Sequence, residues 1–365
     1  MPPNPYLGVF FHWLGGLAAA SFYIPYRGVR KWAWETYWLV GGVFSWLVAP
    51  LVMASLLVPG FWGVLRATEG RTLLWAFLFG ALWGVGGLTF GLSMRYLGIA
   101  LGYAIALGLC TAFGTLVPPL VRGQMGPLLQ ESSGHWILLG VAVCLMGIAA
   151  SGLAGHSKER ELTEEQKRGS VSEFNFPKGF GVATLSGVMS ACMAFALDAG
   201  KPITSAAQAS LLAQGRSDLW QGLPVLVVVL WGGFATNFVW CTFLSIRNRT
   251  GYQYLNRVSG GPDAREAKAA PLLPNYLFAA LAGVTWYFQF FFYTMGQSRM
   301  GKYDFSSWTL HMASIITFST LWGIALKEWR GTSRRTHALI ALGLAILIGS
   351  TVIVGYGNTL KAGGL

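Results

Sequence analysis

Charge is what this sequence has least of. Only 11% of its 365 residues are Asp, Glu, Lys or Arg, against about 25% in an ordinary soluble domain, which excludes a largely water-exposed surface. Cysteine is sparse too. Cys110, Cys144, Cys192 and Cys241 stand singly inside apolar runs, so a disulfide framework, a redox pair and a zinc site are all excluded by spacing; the four read as free, packed thiols. There is no H-E-x-x-H, no G-x-S-x-G and no P-loop, and neither an enzyme nor a cofactor or metal is expected. The opening MPPNPYLGVF has no basic residue ahead of its apolar run, so no cleavable signal peptide is expected. No stretch between apolar runs is long enough for a soluble sensory domain.

What the chain does have is hydrophobic length: 54% of residues are hydrophobic and 14% aromatic. Runs of roughly 20 residues, enough to cross a bilayer core of about 30 Å, fall near 7–27, 34–58, 72–94, 97–121, 135–155, 178–200, 220–246, 272–297, 302–326 and 336–357. The pattern predicts an all-α membrane protein of ten transmembrane helices. The net charge of +12 does not point to nucleic acid, because the basic residues sit in the loops. Most follow the first, third, fifth, seventh and ninth segments, as Arg27, Arg30 and Lys31 do, and basic loops stay cytoplasmic, which predicts both termini outside.

The polar stretch SKERELTEEQKR divides the chain in half. We take 1–155 and 178–365 as two five-helix repeats joined by a cytoplasmic linker over 156–177. Five is odd, so the second repeat enters the membrane from the opposite side, an inverted arrangement found in transporters. Small-xxx-small pairs at Gly16 to Ala20 and Gly187 to Ala191 agree. Most of the 48 glycines are read as helix packing, which in lipid depends on close backbone approach; such stripes do not reveal oligomeric state, and a monomer is the simplest expectation.

Polar residues inside spans are functional candidates because charge near the bilayer centre costs about 2.5–3.5 kcal/mol or more. They concentrate in 274–327. Trp286, Gln289 and Tyr293 lie at i, i+3 and i+7, and Asp304, Trp308 and His311 at i, i+4 and i+7, so each trio shares a helix face and together they predict a polar-aromatic pocket. His12 lies at a comparable depth in the first segment. Gln289 offers donors and an acceptor without charge; Trp286 and Trp308 serve either to stack on an apolar sugar face or simply to pack. Asp304 reads equally as a helix-start acid or as a carboxyl that takes up a proton, with His311 and His12 as competing carriers. Glu35, Asp198 and Lys201 are candidates for gating or coupling, against the plainer reading of helix-end charges.

The stretches FHWLGGLAAASFYIPYRGVRKWAWETYW, FGLSMRYLG, Lys201-Pro202, WYFQFFFYTMGQSR, YDFSSWTLHM and LKEW together resemble the L-rhamnose/proton symporter family, within the drug/metabolite transporter superfamily, over nearly the whole chain. The resemblance implies ten helices, a bacterial inner-membrane location, and uptake of L-rhamnose with a proton and no other cofactor. It also implies matched positions at His12, Glu35, Arg95, Lys201, Gln289, Asp304, Trp308 and His311, with a departure at Asp198, where Asn is expected in enteric members. The deoxy sugar would bind through His12, Trp286, Gln289, Tyr293, Trp308 and His311, with Asp304, His311 or His12 coupling the proton. The alternative is a transporter of the same fold carrying another sugar or metabolite, inward or as an exporter.

Overall fold

The computed structural model describes residues 3–97, 99–161, 175–255, 258–259 and 268–362. Among them, nine helices are long and apolar enough to cross a membrane. The main helices are α1 (Pro5–Tyr26), α2 (Trp34–Leu57), α3 (Gly70–Leu97), α4 (Leu101–Val121), α5 (Ser132–Glu161) and α6 (Phe176–Ala199). They continue with α7 (Leu223–Arg247), α8 (Leu272–Gln297), α9 (Ser307–Ala325) and α10 (Arg334–Ala362). The only strands among the described residues are the two-residue pair Val258–Ser259 and Lys268–Ala269.

Local chemistry sets the boundaries. The Asn4 side chain accepts from the Leu7 amide at 3.1 Å and Pro5 follows at the first helical position, where its missing N–H is not needed. Asn175 and Pro177 start α6 in the same manner. Pro118 and Pro119 fall in the last turn of α4, which ends just before Gly123 in the left-handed region, so they terminate that helix. Helix α5 runs past the expected stop at 155 to Glu161, whose carboxylate accepts from Ser333 and Thr336 at the start of α10, both at 2.6 Å. Residues 162–174 of the expected linker lie outside the described residues.

Helix α9 is the one main helix outside the apolar nine. Ser307, Thr309, His311, Ser314 and Thr317 dilute its hydropathy, and all five are buried against α1, α4, α5 and α10. Its expected first turn is absent: Gly301–Ser306 is a 3-10 segment, broken at Tyr303 (φ −103°, ψ 45°).

Close helix crossings rest on glycine. A Cβ at Gly80 on α3 would strike the Val229 carbonyl of α7, and one at Gly283 on α8 would strike the Gly41 carbonyl of α2. Further contacts join α3 to α6, α4 to α5 and α6, α1 to α8 and α9, and α10 to α5 and α9. The apolar core lies mainly among α2, α3, α6, α7 and α8.

Candidate substrate cavity

A cavity of about 330 Å³ sits among α1, α2, α3, α4, α6, α7, α8 and α9, a volume within the range of small-molecule sites. One wall is tryptophan. The Trp46, Trp83 and Trp286 rings lie 5.5–6.4 Å apart between centroids, with Phe290 against the last two at 5.8 and 5.3 Å. Trp46 reaches this wall through a local change of winding. In a regular helix of 3.6 residues per turn it would sit roughly 80° round from Trp38. The residues Val43–Val48 form a π-helical stretch, which underwinds the helix and brings Trp46 onto the cavity side with Trp38, their rings 6.1 Å apart.

The polar groups of the cavity differ in how they are held. Trp308 is 2% exposed and its indole N–H donates to the Cys110 carbonyl at 3.0 Å, so the ring is fixed. Asn237 is also fixed, accepting from Trp38 Nε1 at 3.1 Å and donating to the Gly233 carbonyl at 2.9 Å. Gln289 lines the same space, is 6% exposed, and forms no side-chain hydrogen bond among the described residues. His311 lines it too, and neither ring nitrogen has a hydrogen-bond partner there.

His12 and Tyr293 do not line this cavity, which corrects the expectation that they share the pocket surface. Tyr293 stands between the two histidines, its ring 5.2 Å from that of His12 and 5.2 Å from that of His311. Close packing leaves no room in front of His12: a Cβ on Gly296 would lie 2.8 Å from its Nε2, and Ser314 Oγ donates to its carbonyl at 2.9 Å. The pair forms a buried layer behind His311.

Asp304 is also elsewhere. The 3-10 segment breaks the face it was expected to share with Trp308 and His311, and Asp304 pairs instead with Lys201, Nζ to Oδ2 at 2.6 Å. Lys201 also approaches Asp198 at 3.7 Å, and Asp198 pairs with Arg122 at 2.7 Å. This cluster joins the ends of α4 and α6 to the start of α9, at the pole opposite the one the cavity lining approaches through Tyr23, Tyr103 and Ser319. A smaller space of about 70 Å³ lies beside Lys201, Asp304 and Gln297 and shares no lining residue with the main cavity. Glu35 is 4% exposed in the first turn of α2. It accepts from Asn248 at 3.1 Å and Thr250 at 2.8 Å, fastening α2 to the end of α7 outside the cavity.

Sequence reasoning missed Trp46 and Trp83, and a buried pair, Asp218 with Arg299 at 2.7 Å. Glycines flank Trp83 in the run WGVGG, a cue to a helix face open to a large neighbour. Nothing local marks Trp46.

The sequence profile of the family described as L-rhamnose-proton symport protein matches residues 2–360. The chain belongs to this family. Its relatives include the L-rhamnose-proton symporters of Cronobacter sakazakii (strain ATCC BAA-894), 41% identical, and of Salmonella typhi, 39% identical. That of Yersinia pestis (strain Pestoides F) is 40% identical. Each alignment spans 352 residues, 96% of this chain and 97% of the relative. The family is one of multi-pass membrane transporters, not enzymes, and the segments WYFQFFFYTMGQSR and YDFSSWTLHM supply Trp286, Gln289, Trp308 and His311 to the cavity.

Proposed function

We propose that this protein takes up L-rhamnose together with a proton across the bacterial cytoplasmic membrane, by alternating access within a ten-helix fold of the drug/metabolite transporter superfamily. The carrying observation is the tryptophan-walled cavity that holds an unengaged Gln289, in a chain 39–41% identical to L-rhamnose-proton symporters along nearly its whole length. A deoxy sugar needs hydrogen-bonding groups for its hydroxyls and an apolar wall for its methyl group. Gln289, Asn237 and His311 serve the first need, and Trp46, Trp83, Trp286 and Trp308 the second.

Helix α9 is the tenth span. Its 19 residues reach roughly 28 Å at 1.5 Å per residue, and its hydroxyls face protein rather than lipid. An inverted repeat is supported by the way contacts recur when α1–α5 are exchanged with α6–α10. The contact of α3 with α6 becomes that of α8 with α1; α4 with α6 becomes α9 with α1; α3 with α7 becomes α8 with α2. The glycine crossings at Gly80 and Gly283 belong to the last couple. With the loop charges, this reading puts both termini outside and the Tyr23, Tyr103 and Ser319 end of the cavity towards the cytoplasm.

Coupling falls to His311. It is the one candidate carrier that borders the cavity, and a protonated imidazole presents two donors to sugar hydroxyls, so proton and sugar favour each other's binding. Tyr293 and His12 back it. Asp304, Asp198, Lys201 and Arg122 form the outer seal. A membrane potential supplies about 2.3 kcal/mol per charge per 100 mV, roughly fifty-fold accumulation for one proton.

The test is uptake of radiolabelled L-rhamnose into proteoliposomes under an imposed pH gradient. Uptake that rises with the gradient and collapses with a protonophore is expected, with the gradient dependence lost in His311→Gln. A folded, monodisperse sample that neither accumulates nor binds L-rhamnose would overturn the substrate.

A further inference from the structure

The outer seal has a counterpart at the other end of the molecule. Arg122 follows the last residue of α4 and pairs with Asp198 in the last turn of α6. Under the exchange of halves, α4 becomes α9 and α6 becomes α1. Glu328 lies three residues beyond the end of α9, Arg27 follows the end of α1, and the two form an ion pair at 3.3 Å. The charges are transposed, yet the same two helix ends are tied.

The two ties are not equally made. At the outer pole Nη2 of Arg122 is 2.7 Å from the carboxylate and the side chains are 28% and 24% exposed. Arg122 also donates to the Asp198 carbonyl, and Lys201 bridges Asp198 to Asp304. Between Arg27 and Glu328, among the described residues, the approach is one contact at 3.3 Å between side chains 59% and 49% exposed. The cavity lining reaches Tyr23 and Ser319, towards the weakly tied pole, and includes none of the four residues of the strongly tied one.

We infer that Arg27–Glu328 and Arg122–Asp198 are the two gates of the transport cycle, related by the repeat symmetry, and that one tightens as the other parts. On this inference the conformation seen, with its weaker tie at the Arg27–Glu328 end, is the inward-facing member of the cycle. Closing the inner end draws α1 and α9 together and desolvates Arg27 and Glu328, while the outer cluster separates and the small space beside Gln297 and Asp304 opens into the entrance. Because α1 and α9 also carry His12 and His311, closure of the inner gate is coupled to the environment of the proton site. The inference rests on the inverted-repeat reading but not on the identity of the sugar.

Two reporter variants, Ser319→Cys in the inner part of the cavity and Gln297→Cys in the outer space, measure it through their rates of reaction with a membrane-impermeant maleimide applied from each side without sugar. The four native thiols are buried, and because Cys110 lines the same cavity as Ser319 both reporters are placed in a Cys110→Ala background. Partly exposed ion pairs are weak, so changes of about two- to five-fold are expected. Arg122→Ala should raise Gln297→Cys labelling from outside and lower Ser319→Cys labelling from inside. Glu328→Ala should do the reverse and slow uptake, and the transposition Arg27→Glu with Glu328→Arg should restore both. If Arg122→Ala shifts the ratio but Glu328→Ala and the transposition leave labelling and uptake at native values, the inner pair is an incidental surface contact and the inference falls. If both reporters react from the same side, the inverted-repeat reading itself fails. Since no sugar is present, an incorrect substrate assignment leaves these outcomes readable.

Discussion

Replacing Gln289 by leucine separates a residue kept for substrate from one kept for structure. The side chain is 6% exposed, lines the cavity and makes no hydrogen bond to the protein among the described residues. A similar-sized apolar group therefore removes no internal contact, and burying it on the cavity wall favours the fold slightly if at all. Binding should respond differently. A net 0.5–1.5 kcal/mol is typical for each hydrogen bond, and an amide that both donates to one hydroxyl and accepts from another supplies about 1–3 kcal/mol. At 1.4 kcal/mol per tenfold, Gln289→Leu should weaken L-rhamnose binding by roughly 5- to 150-fold. Binding is read by quenching of the cavity tryptophans, and stability by thermal unfolding in detergent. An unchanged melting temperature with weakened binding is the expected pair of results. A variant that melts several degrees lower, or binds the sugar as tightly as the native protein, would refute the placement of Gln289 against substrate.

The buried Asp218–Arg299 pair, 5% and 2% exposed, makes a prediction about folding: Asp218→Ala strands a guanidinium and should cost about 3–5 kcal/mol, visible as a loss of folded protein on size-exclusion chromatography, with Asp218→Leu and Arg299→Leu together recovering much of it. Gly283→Leu drives a side chain into the α2 backbone at Gly41 and should destabilise by at least about 1–3 kcal/mol, whereas Gly181→Ala, with nothing within 4 Å of the new Cβ, should be neutral in the same melting assay. Glu35→Gln retains an acceptor for Asn248 and Thr250 and should keep most proton-driven uptake, while Glu35→Ala leaves two donors unpaired and should lower stability by about 1–3 kcal/mol; loss of coupling in Glu35→Gln would instead make Glu35 a proton carrier.

Helix placement was legible because hydropathy is set by lipid. The run read as 34–58 is observed as Trp34–Leu57, and that read as 178–200 as Phe176–Ala199. The glycines at Gly80 and Gly86 meet neighbouring backbone, as small residues in lipid should, although Gly87 and Gly91 meet nothing. The length of α5 was not legible, since its final turn is held by Ser333 and Thr336 from α10, a contact no local pattern announces. Helix α9 falls outside the nine apolar helices because, packed against other helices, it carries Ser, Thr and His.

The site was legible only where the helix winding is regular. Trp286 and Gln289, three residues apart on α8, and Trp308 and His311, three apart on α9, do share the cavity, because a constant 3.6-residue period converts spacing into direction. Asp304, misplaced, and Trp46, missed, lie at departures from that period, whereas Tyr293, on regular α8, packs between His12 and His311 instead of lining the cavity. The 3-10 turn before α9 carries Asp304 away from His311 to Lys201, and the π-helical stretch in α2 carries Trp46 towards Trp38 and into the cavity. Each shift follows from a change in winding that leaves residue spacing in the sequence untouched, so periodicity could not have disclosed it. The consequence for the site is specific: with the carboxylate out of the cavity and the tryptophan in it, His311 is the one of the three candidate proton carriers that borders the cavity, and Asp304 sits in the charge cluster with Lys201, Asp198 and Arg122.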